Sequence, residues 1–119
     1  PPRSTLFPYT TLFRSPMAVE TSHLIASACP AILERYDFAH ESLYRVLRQE
    51  YGLALAHAEQ TIAARGATRE EARVLGLKPH APILHMTRVL YTAASRPLEY
   101  VISAYRGDSY TFHVVLRQV

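Results

Sequence analysis

The chain has 119 residues, 49% of them hydrophobic and 19% charged, which is typical of one small globular domain and too short for two. The single Cys29 excludes an internal disulfide and a zinc site built on paired cysteines. No apolar run reaches the ~20 residues of a membrane span, and no signal peptide opens the chain. We therefore expect a soluble, cytoplasmic domain without a membrane partner.

The net charge of +3 gives little support for a nucleic-acid surface. The first sixteen residues carry two basic residues and no acid, so the remainder holds 11 basic against 10 acidic residues, a net charge of +1. Nucleic-acid binding normally requires clustered Lys and Arg on one face. If the protein acts on DNA, we expect another part of it to make the contact.

Residues 1–16, PPRSTLFPYTTLFRSP, differ in composition from the rest of the chain. They hold four of the eight prolines and repeat Thr-Leu-Phe. One interpretation is a proline-bearing linker or frayed terminus. The interpretation that we prefer is a non-native, adapter-like or disordered tail, which is left out of the fold. The domain is then expected to occupy residues 17–119.

Hydrophobic periodicity predicts strands and two short helices after this segment. The expected elements are a strand over 17–25, a surface connection over 26–40, a helix over 42–51, a strand over 53–65, a helix over 68–76, and strands over 83–92, 98–106 and 109–117. The first helix begins after Ser42, an ordinary N-cap residue, and ends at Gly52. The second begins with a capping box between Thr68 and Glu71.

Few helices, and strands mostly joined by short turns, predict an α+β domain whose antiparallel sheet has its helices packed on one face. The four glycines form neither a GxGxxG nor a GxxxxGK motif, which excludes Rossmann and P-loop nucleotide sites. The six histidines lack metal-ligand spacing, and no serine lies in a GxSxG elbow. We therefore expect no metal, no cofactor and no catalytic residue.

The strand over 98–106 carries the most informative pattern, because side chains alternate across a sheet. One face is apolar and consists of Leu98, Tyr100, Ile102 and Ala104. The other face places Glu99, Ser103 and Tyr105 in a row beside Val101, at a repeat of about 6.8 Å. This row suits either a solvated outer face or the wall of a pocket that binds a hydroxyl-bearing or amino-bearing small molecule.

The order of several segments resembles a known family. The segments are PMAVETSHL, SLYRVL, TREEARVLGL, PILHMTRVLY and RPLEYVISAYRGDSY. Together they resemble, over roughly residues 16–116, the UTRA effector-sensing domain of GntR-type transcription regulators of the HutC subfamily. The resemblance implies a chorismate lyase-like fold and a homodimeric, DNA-binding repressor. Its small-molecule effector is often a phosphorylated amino sugar or another small metabolite.

The resemblance also implies that residues 17–119 are a partial UTRA domain, truncated at its N-terminal side. In the family, a winged helix-turn-helix domain and the opening strands of the sensor precede the position of Glu20. We therefore expect contact with DNA only through a domain that is missing from this chain.

Family positions that line the effector cavity correspond to Glu20, Ser42, Tyr44, Glu99 and Tyr105. Ser103 joins these candidates because it shares a strand face with Glu99 and Tyr105. Three further signature positions, Arg88, Arg106 and Asp108, are assigned structural roles first. Arg106 and Asp108 flank Gly107 at a tight corner, where an ion pair is the simplest expectation.

Two other functions remain open from the sequence. A chorismate lyase-like enzyme would need cationic groups for the two carboxylates of its substrate, whereas the candidate face carries carboxylates. A purely structural dimerisation domain would have its cavity collapsed and filled. We favour a sensor domain without enzymatic activity.

Overall fold

One antiparallel sheet organises the chain in the computed structural model, which describes residues 4–9 and 17–118. Its strands are β1 (Ser4–Tyr9), β2 (Ala18–Ile25), β3 (Leu55–Gly66), β4 (Pro82–Thr92) and β5 (Pro97–Arg106). They lie in the order β1-β2-β5-β4-β3. The central β5 is therefore paired on both edges, while β1 and β3 form the outer edges.

Three short helices accompany the sheet among the described residues, namely α1 (Ile32–Arg35), α2 (Leu43–Gln49) and α3 (Arg69–Leu75). The side chain of Ser42 caps α2 by accepting a hydrogen bond from the Arg45 amide at 3.4 Å. The predicted capping box begins α3, because Thr68 and Glu71 exchange side-chain and backbone hydrogen bonds. Gly76 ends α3 at a φ of +67°, a conformation that favours glycine.

Two apolar clusters lie on opposite faces of the sheet. The first packs α1, α2 and the 26–40 connection on the face that carries Glu99, and it contains Leu24, Cys29, Ile32, Phe38, Val46, Leu47, Leu90 and Leu98. The second packs α3 on the other face, and it contains Ala67, Ala72, Leu75, Ile83 and Ala104. In the strand pairing, Leu24 lies opposite Glu99 and Val19 opposite Ala104. Because neighbouring residues on a strand face opposite sides, the two clusters are separated by the sheet. Leu98 departs from the predicted alternation, since it neighbours Glu99 but belongs to the first cluster, beside the register shift between Leu90 and Tyr91.

The predicted α+β class with an antiparallel sheet is confirmed. The prediction placed the helices on one face of the sheet. In the structure α2 covers the Glu99 face and α3 covers the Ala104 face. The strands predicted over 17–25, 53–65, 83–92 and 98–106 correspond to β2, β3, β4 and β5.

Two local predictions are wrong. The connection over 26–40 is not confined to the surface, because it buries Cys29, Ile32 and Phe38 in the first apolar cluster. The strand expected over 109–117 is absent, and this segment lies outside the sheet. The physical reason is that both edges of β5 are already paired, with β2 and β4, so the chain that follows finds no open edge beside it.

Residues 1–16, predicted to lie outside the fold, contain one strand that the structure describes, β1. Ser4–Tyr9 pairs antiparallel with β2, from Ser4 opposite Ile25 to Tyr9 opposite Glu20. Residues 1–3 and 10–16 lie outside the described part of the chain. The non-native origin of residues 1–16 stays a prediction.

The described residues contain neither a membrane-spanning helix nor a cluster of metal-ligating side chains. None of their helices is long and apolar enough to cross a membrane. Nor do they place three or more His, Cys, Asp or Glu side chains where these could hold a metal ion.

Candidate functional site

A cavity of about 250 Å³ opens on the Glu99 face of the sheet, beside the first turn of α2. It is lined by Glu20, Ser22, Phe38, Glu41, Ser42, Leu43, Tyr44, Arg88, Glu99 and Val101. The lining combines three carboxylates, one guanidinium, hydroxyl groups and an apolar wall. Such a mixture can bind a small polar molecule through directed hydrogen bonds.

Strand register brings the polar side chains of three strands to this face. Glu20 of β2 lies opposite Ser103 of β5. Val101 of β5 lies between Ser22 of β2 and Arg88 of β4. Residues directly opposite each other in an antiparallel sheet project to the same side, so one row of the sheet forms the cavity floor.

Glu99 is the centre of the first hydrogen-bond network, although its side chain is almost fully buried at 4% exposure. The Ser22 hydroxyl donates to Glu99 Oε2 at 2.6 Å, and the Tyr44 hydroxyl donates to Oε1 at 2.8 Å. Arg88 Nη2 donates to the Tyr44 hydroxyl oxygen at 2.9 Å. Burial, together with the Glu99 carboxylate, raises the pKa of Tyr44 to about 12. Tyr44 therefore stays protonated and links the guanidinium to the carboxylate.

Glu20 is the centre of the second network. The hydroxyls of Ser103 and Tyr105 both donate to Glu20 Oε1, at 3.1 and 2.7 Å. Burial, followed by the hydrogen bond to Glu20, raises the pKa of Tyr105. Within the described part of the chain, Glu20 Oε2 accepts no hydrogen bond. Glu20 thus has acceptor capacity left for a molecule in the cavity.

Arg88 has a buried donor that lacks a partner among the described residues. Its Nε atom makes no hydrogen bond to any residue that the structure describes. Its guanidinium carbon lies 6.0 Å from the centre of the Tyr44 ring. A buried donor left unpaired costs about 1 to 3 kcal/mol, so an acceptor brought into the cavity would recover stabilisation at this residue.

The predicted effector residues divide into two groups. Glu20, Ser42, Tyr44 and Glu99 line the cavity. Ser103 and Tyr105 are not among the lining residues, and both donate hydrogen bonds to Glu20, which does line the cavity. The roles of all six residues stay predictions, although their placement is consistent with one site.

Sequence reasoning missed part of the lining. Ser22 could have been found, because it lies two residues after Glu20 on the same strand and so faces the same side. For Arg88 the sequence predicts a structural role, yet its side chain lines the cavity. Glu41 lies in a connection without periodicity, so no pattern indicates it.

The row of polar residues on β5 is not a solvated outer face. Glu99 and Ser103 are each only 4% exposed. The face expected to be plainly apolar instead leaves Tyr100 41% exposed, beside the ring of His23. The pocket-wall interpretation of the β5 pattern therefore fits the burial better.

Arg106 and Asp108 lie at a corner outside the cavity lining. The expected ion pair is present, with Arg106 Nε and Nη2 donating to the two Asp108 oxygens at 2.9 and 2.7 Å. Arg106 Nη1 also donates to the Leu75 carbonyl at 3.0 Å, which ties the corner to the end of α3. A Cβ on Gly107 would lie 2.7 Å from the Pro82 carbonyl oxygen, so this corner requires glycine. These contacts support the structural assignment.

Comparison with known proteins identifies the family. Residues 12–111 match the UTRA domain family. The chain is 33% identical over 97 residues to the HTH-type transcriptional repressor NagR of Bacillus subtilis (strain 168), covering 82% of this chain and 39% of that protein. It is 34% identical over 101 residues to the HTH-type transcriptional repressor PhnF of Mycolicibacterium smegmatis, covering 84% and 40%. The chain thus spans about two fifths of the length of these relatives.

A solved structure agrees with these sequence matches. The effector domain of PhnF from Mycobacterium smegmatis superposes with a TM-score of 0.86 at 29% identity, over 96% of this chain and 70% of that chain. Family match, relatives and fold agree. This chain belongs to the UTRA family, the effector-binding domains of GntR-type transcriptional regulators of the HutC subfamily.

Proposed function

We propose that this domain binds a small polar metabolite in the Glu99 cavity and regulates a transcriptional repressor through that binding. The observation that carries the proposal is the pair of hydrogen-bond networks around the buried Glu99 and the half-buried Glu20, beside the cavity that both side chains line. Burying carboxylates costs stability, and a cluster of them beside a cavity is typical of a functional site.

The chemistry of the lining indicates the class of effector. Glu20 and Glu99 accept hydrogen bonds, so they suit hydroxyl or ammonium groups. Arg88 suits a phosphate or carboxylate, because its Nε is an unpaired buried donor among the described residues. The cavity is smaller than the roughly 300 to 1,000 Å³ usual for drug-sized ligands. A phosphorylated amino sugar, or another anionic metabolite of that size, fits these features.

We further propose that the domain acts in a cytoplasmic homodimer and contacts DNA only through a separate helix-turn-helix domain. Two curated relatives are named HTH-type transcriptional repressors. Residues 17–119 have almost balanced charge, which supports a sensing role more than direct contact with phosphates. Effector binding then shifts the relative orientation of the DNA-binding domains and so changes operator affinity.

The cavity supports a sensor more than the two alternatives. Its lining contains three carboxylates against one guanidinium, a poor match for an enzyme whose substrate carries two carboxylates. The cavity is also open. In a purely structural dimerisation domain, side chains would be expected to fill it, because close packing stabilises the fold.

Thermal unfolding in the presence of glucosamine 6-phosphate, glucosamine and glucose 6-phosphate tests the proposal. The first probe offers both a cation for the carboxylates and an anion for Arg88. A ligand at 100 times its Kd stabilises the folded state by about 2.7 kcal/mol. We expect the largest rise in melting temperature with glucosamine 6-phosphate and a smaller rise when either charged group is missing. Equal responses of the parent and a Glu99→Gln variant to every probe would refute the cavity assignment.

A further inference from the structure

Glu41 differs from the other two acidic residues that line the cavity, because it does not come from the sheet. It lies between α1 and α2, whereas Glu20 lies on β2 and Glu99 on β5. The Glu41 side chain is 36% exposed, against 4% for Glu99. Glu99 thus belongs to the buried floor of the cavity, and Glu41 lies toward its opening to solvent.

Local contacts hold the Glu41 carboxylate in place. Its Oε2 atom accepts a hydrogen bond from the Asp37 amide at 3.3 Å, and its Oε1 atom lies 3.5 Å from Arg45 Nη2. The Glu41 amide in turn donates to the Asp37 carbonyl at 3.0 Å. The carboxylate is therefore positioned by its own segment and by the first turn of α2, without help from the sheet.

Arg45 offsets the charge of Glu41 only in part. Its side chain is 46% exposed, and its Nη1 atom donates to Gln49 at 3.3 Å. Water and salt screen an exposed ion pair of this kind strongly. Arg45 is not among the residues that line the cavity. The charge that Glu41 contributes to the cavity therefore remains negative.

The cavity offers one place for an anionic group. Arg88 lies on β4 in the cavity floor, and its Nε atom lacks a partner among the described residues. The lining residues that the structure describes contain no second Arg or Lys, whereas three of them are acidic. An effector with one anionic group can place it at Arg88. A second anionic group would find only carboxylates as charged neighbours.

Repulsion from Glu41 can discriminate between effectors without direct contact, because like charges repel over several Å. A phosphate group carries a charge of about −1.5 to −2 at pH 7. Specificity is often built in this way, by a charge that raises the free energy of the wrong complex. Within the described part of the chain, Glu41 hydrogen-bonds to neither the Glu20 nor the Glu99 network. Its charge is therefore not needed to hold those networks together.

We infer that Glu41 is a specificity-determining residue that selects effectors with a single anionic group. That group binds at Arg88, and the part of the effector that faces the opening is neutral or cationic. Metabolites with two phosphates or two carboxylates are disfavoured by repulsion from Glu41. This inference rests on the proposed function of the cavity and adds the charge of the effector that the cavity accepts.

Titration calorimetry on the whole 119-residue chain tests the inference with two probes that differ by one phosphate, glucosamine 6-phosphate and glucosamine 1,6-bisphosphate. The quantity compared is the ratio of the bisphosphate Kd to the monophosphate Kd. Glu41→Gln keeps the size of the side chain and an acceptor for the Asp37 amide but removes the charge. The control is Glu34→Gln, which removes an exposed acidic charge on α1, outside the cavity lining. Circular dichroism should verify that both variants fold.

We expect the parent to bind the monophosphate at least about tenfold more tightly than the bisphosphate, and Glu41→Gln to narrow this ratio about fivefold or more. Glu34→Gln should keep the parent ratio. Raising the salt from about 50 mM to about 500 mM NaCl should also narrow the parent ratio, and should narrow that of Glu41→Gln less. A merely structural role of Glu41 would change both Kd values alike and leave the ratio unchanged.

The outcomes separate this inference from the function on which it rests. A ratio that is the same in the parent and in Glu41→Gln overturns the specificity role and leaves the proposed function standing. So does a ratio that Glu34→Gln narrows as much as Glu41→Gln does, because the effect then follows the net charge of the chain. A parent that binds neither probe overturns the proposed function and this inference with it.

Discussion

On one face of β5, Glu99 and Ser103 lie beside an open cavity, whereas on the other face Ala104 lies beneath the closely packed helix α3. The cavity side buries the Glu99 carboxylate and leaves the Arg88 Nε atom unpaired among the described residues. The α3 side has a complete capping box and a fully buried Leu75. Adjacent residues of one strand thus belong to regions of different construction, an open cavity on one side and close packing against a helix on the other.

This difference makes the two regions separable by mutation. Substitutions under α3 should lower the free energy of unfolding without changing effector affinity. Shape-conserving substitutions in the cavity should weaken effector binding while leaving stability nearly unchanged, because they keep the packing of the side chain. The predictions that follow test this separation.

The largest effect on stability is expected from Leu75→Ala. Leu75 is completely buried in the cluster under α3. Removing its side chain should lower the free energy of unfolding by about 2 to 5 kcal/mol, measured by urea denaturation. Leu77→Ala, at a partly buried position of the same cluster, should cost less. Should either variant also weaken binding of glucosamine 6-phosphate more than tenfold below its melting temperature, the two faces are coupled.

The substitution that tests the cavity side, as Leu75→Ala tests the α3 side, is Glu99→Gln. The substitution keeps the shape of the side chain and removes the charge that accepts from Ser22 and Tyr44. Losing a charge-assisted hydrogen bond to an effector amine or hydroxyl should cost about 1.5 to 3 kcal/mol, which is on the order of ten- to hundredfold in Kd by titration calorimetry. The free energy of unfolding should stay within about 1 kcal/mol of the parent. A large loss of stability with unchanged Kd would show that Glu99 serves the fold alone.

The sequence predicts most of the sheet because the signals for its strands are local. Strand-forming residues indicate β2 and β4, alternation indicates the faces of β5, and the capping box at Thr68 indicates the start of α3. Alternation also predicts that Glu99 and Ser103 face the same side. Which side is buried cannot be read from β5 itself, because burial depends on where α2 and the 26–40 connection pack.

The conformation of the segment after Ser109 and the position of Arg88 depend on residues distant in the sequence. Local sequence patterns therefore do not predict them. The apolar alternation after Ser109 predicts a strand, yet strand formation requires a free neighbouring edge, and β5 offers none. From the sequence, Arg88 is a family signature position with an expected structural role. Its place in the cavity emerges only from the register that sets it opposite Val101 and near Tyr44.

A smaller loss of affinity is expected from Tyr105→Phe. Its hydroxyl donates to Glu20 Oε1, and the ring packs against Tyr110. Removing one neutral donor should cost about 0.5 to 1.5 kcal/mol in effector binding, while the ring contact remains. Tyr100→Phe is the matched control, because Tyr100 projects from the opposite face of the same strand. Equal Kd values for the parent and both variants would place the second network outside the effector site.

The smallest effect is a pH dependence of stability confined to the α3 side. Hydrogen bonds and charge from Arg65, together with the Thr68 cap, lower the pKa of Glu71 from 4.5 to about 2. A carboxyl whose pKa is lower in the folded state stabilises the fold above its unfolded pKa. That contribution is therefore complete above about pH 4.5 and is lost as the pH falls toward about 2. Because the pair is partly exposed to solvent, we expect a contribution of about 0.2 to 1 kcal/mol.

Glu71→Gln isolates this contribution, since glutamine keeps the capping box but does not titrate. Urea denaturation at pH 6 should show the variant less stable than the parent by about the same 0.2 to 1 kcal/mol, and at pH 3 the difference should shrink. Arg106 also lowers the pKa of Asp108 to about 2. Because Asp108 is present in both proteins, its contribution to the pH dependence of stability cancels in the comparison. A difference that is constant from pH 6 to pH 3 would mean that the stability lost in the variant does not come from the charge of Glu71. The effector Kd at pH 6 should be the same in both, because Glu71 is not among the residues that line the cavity.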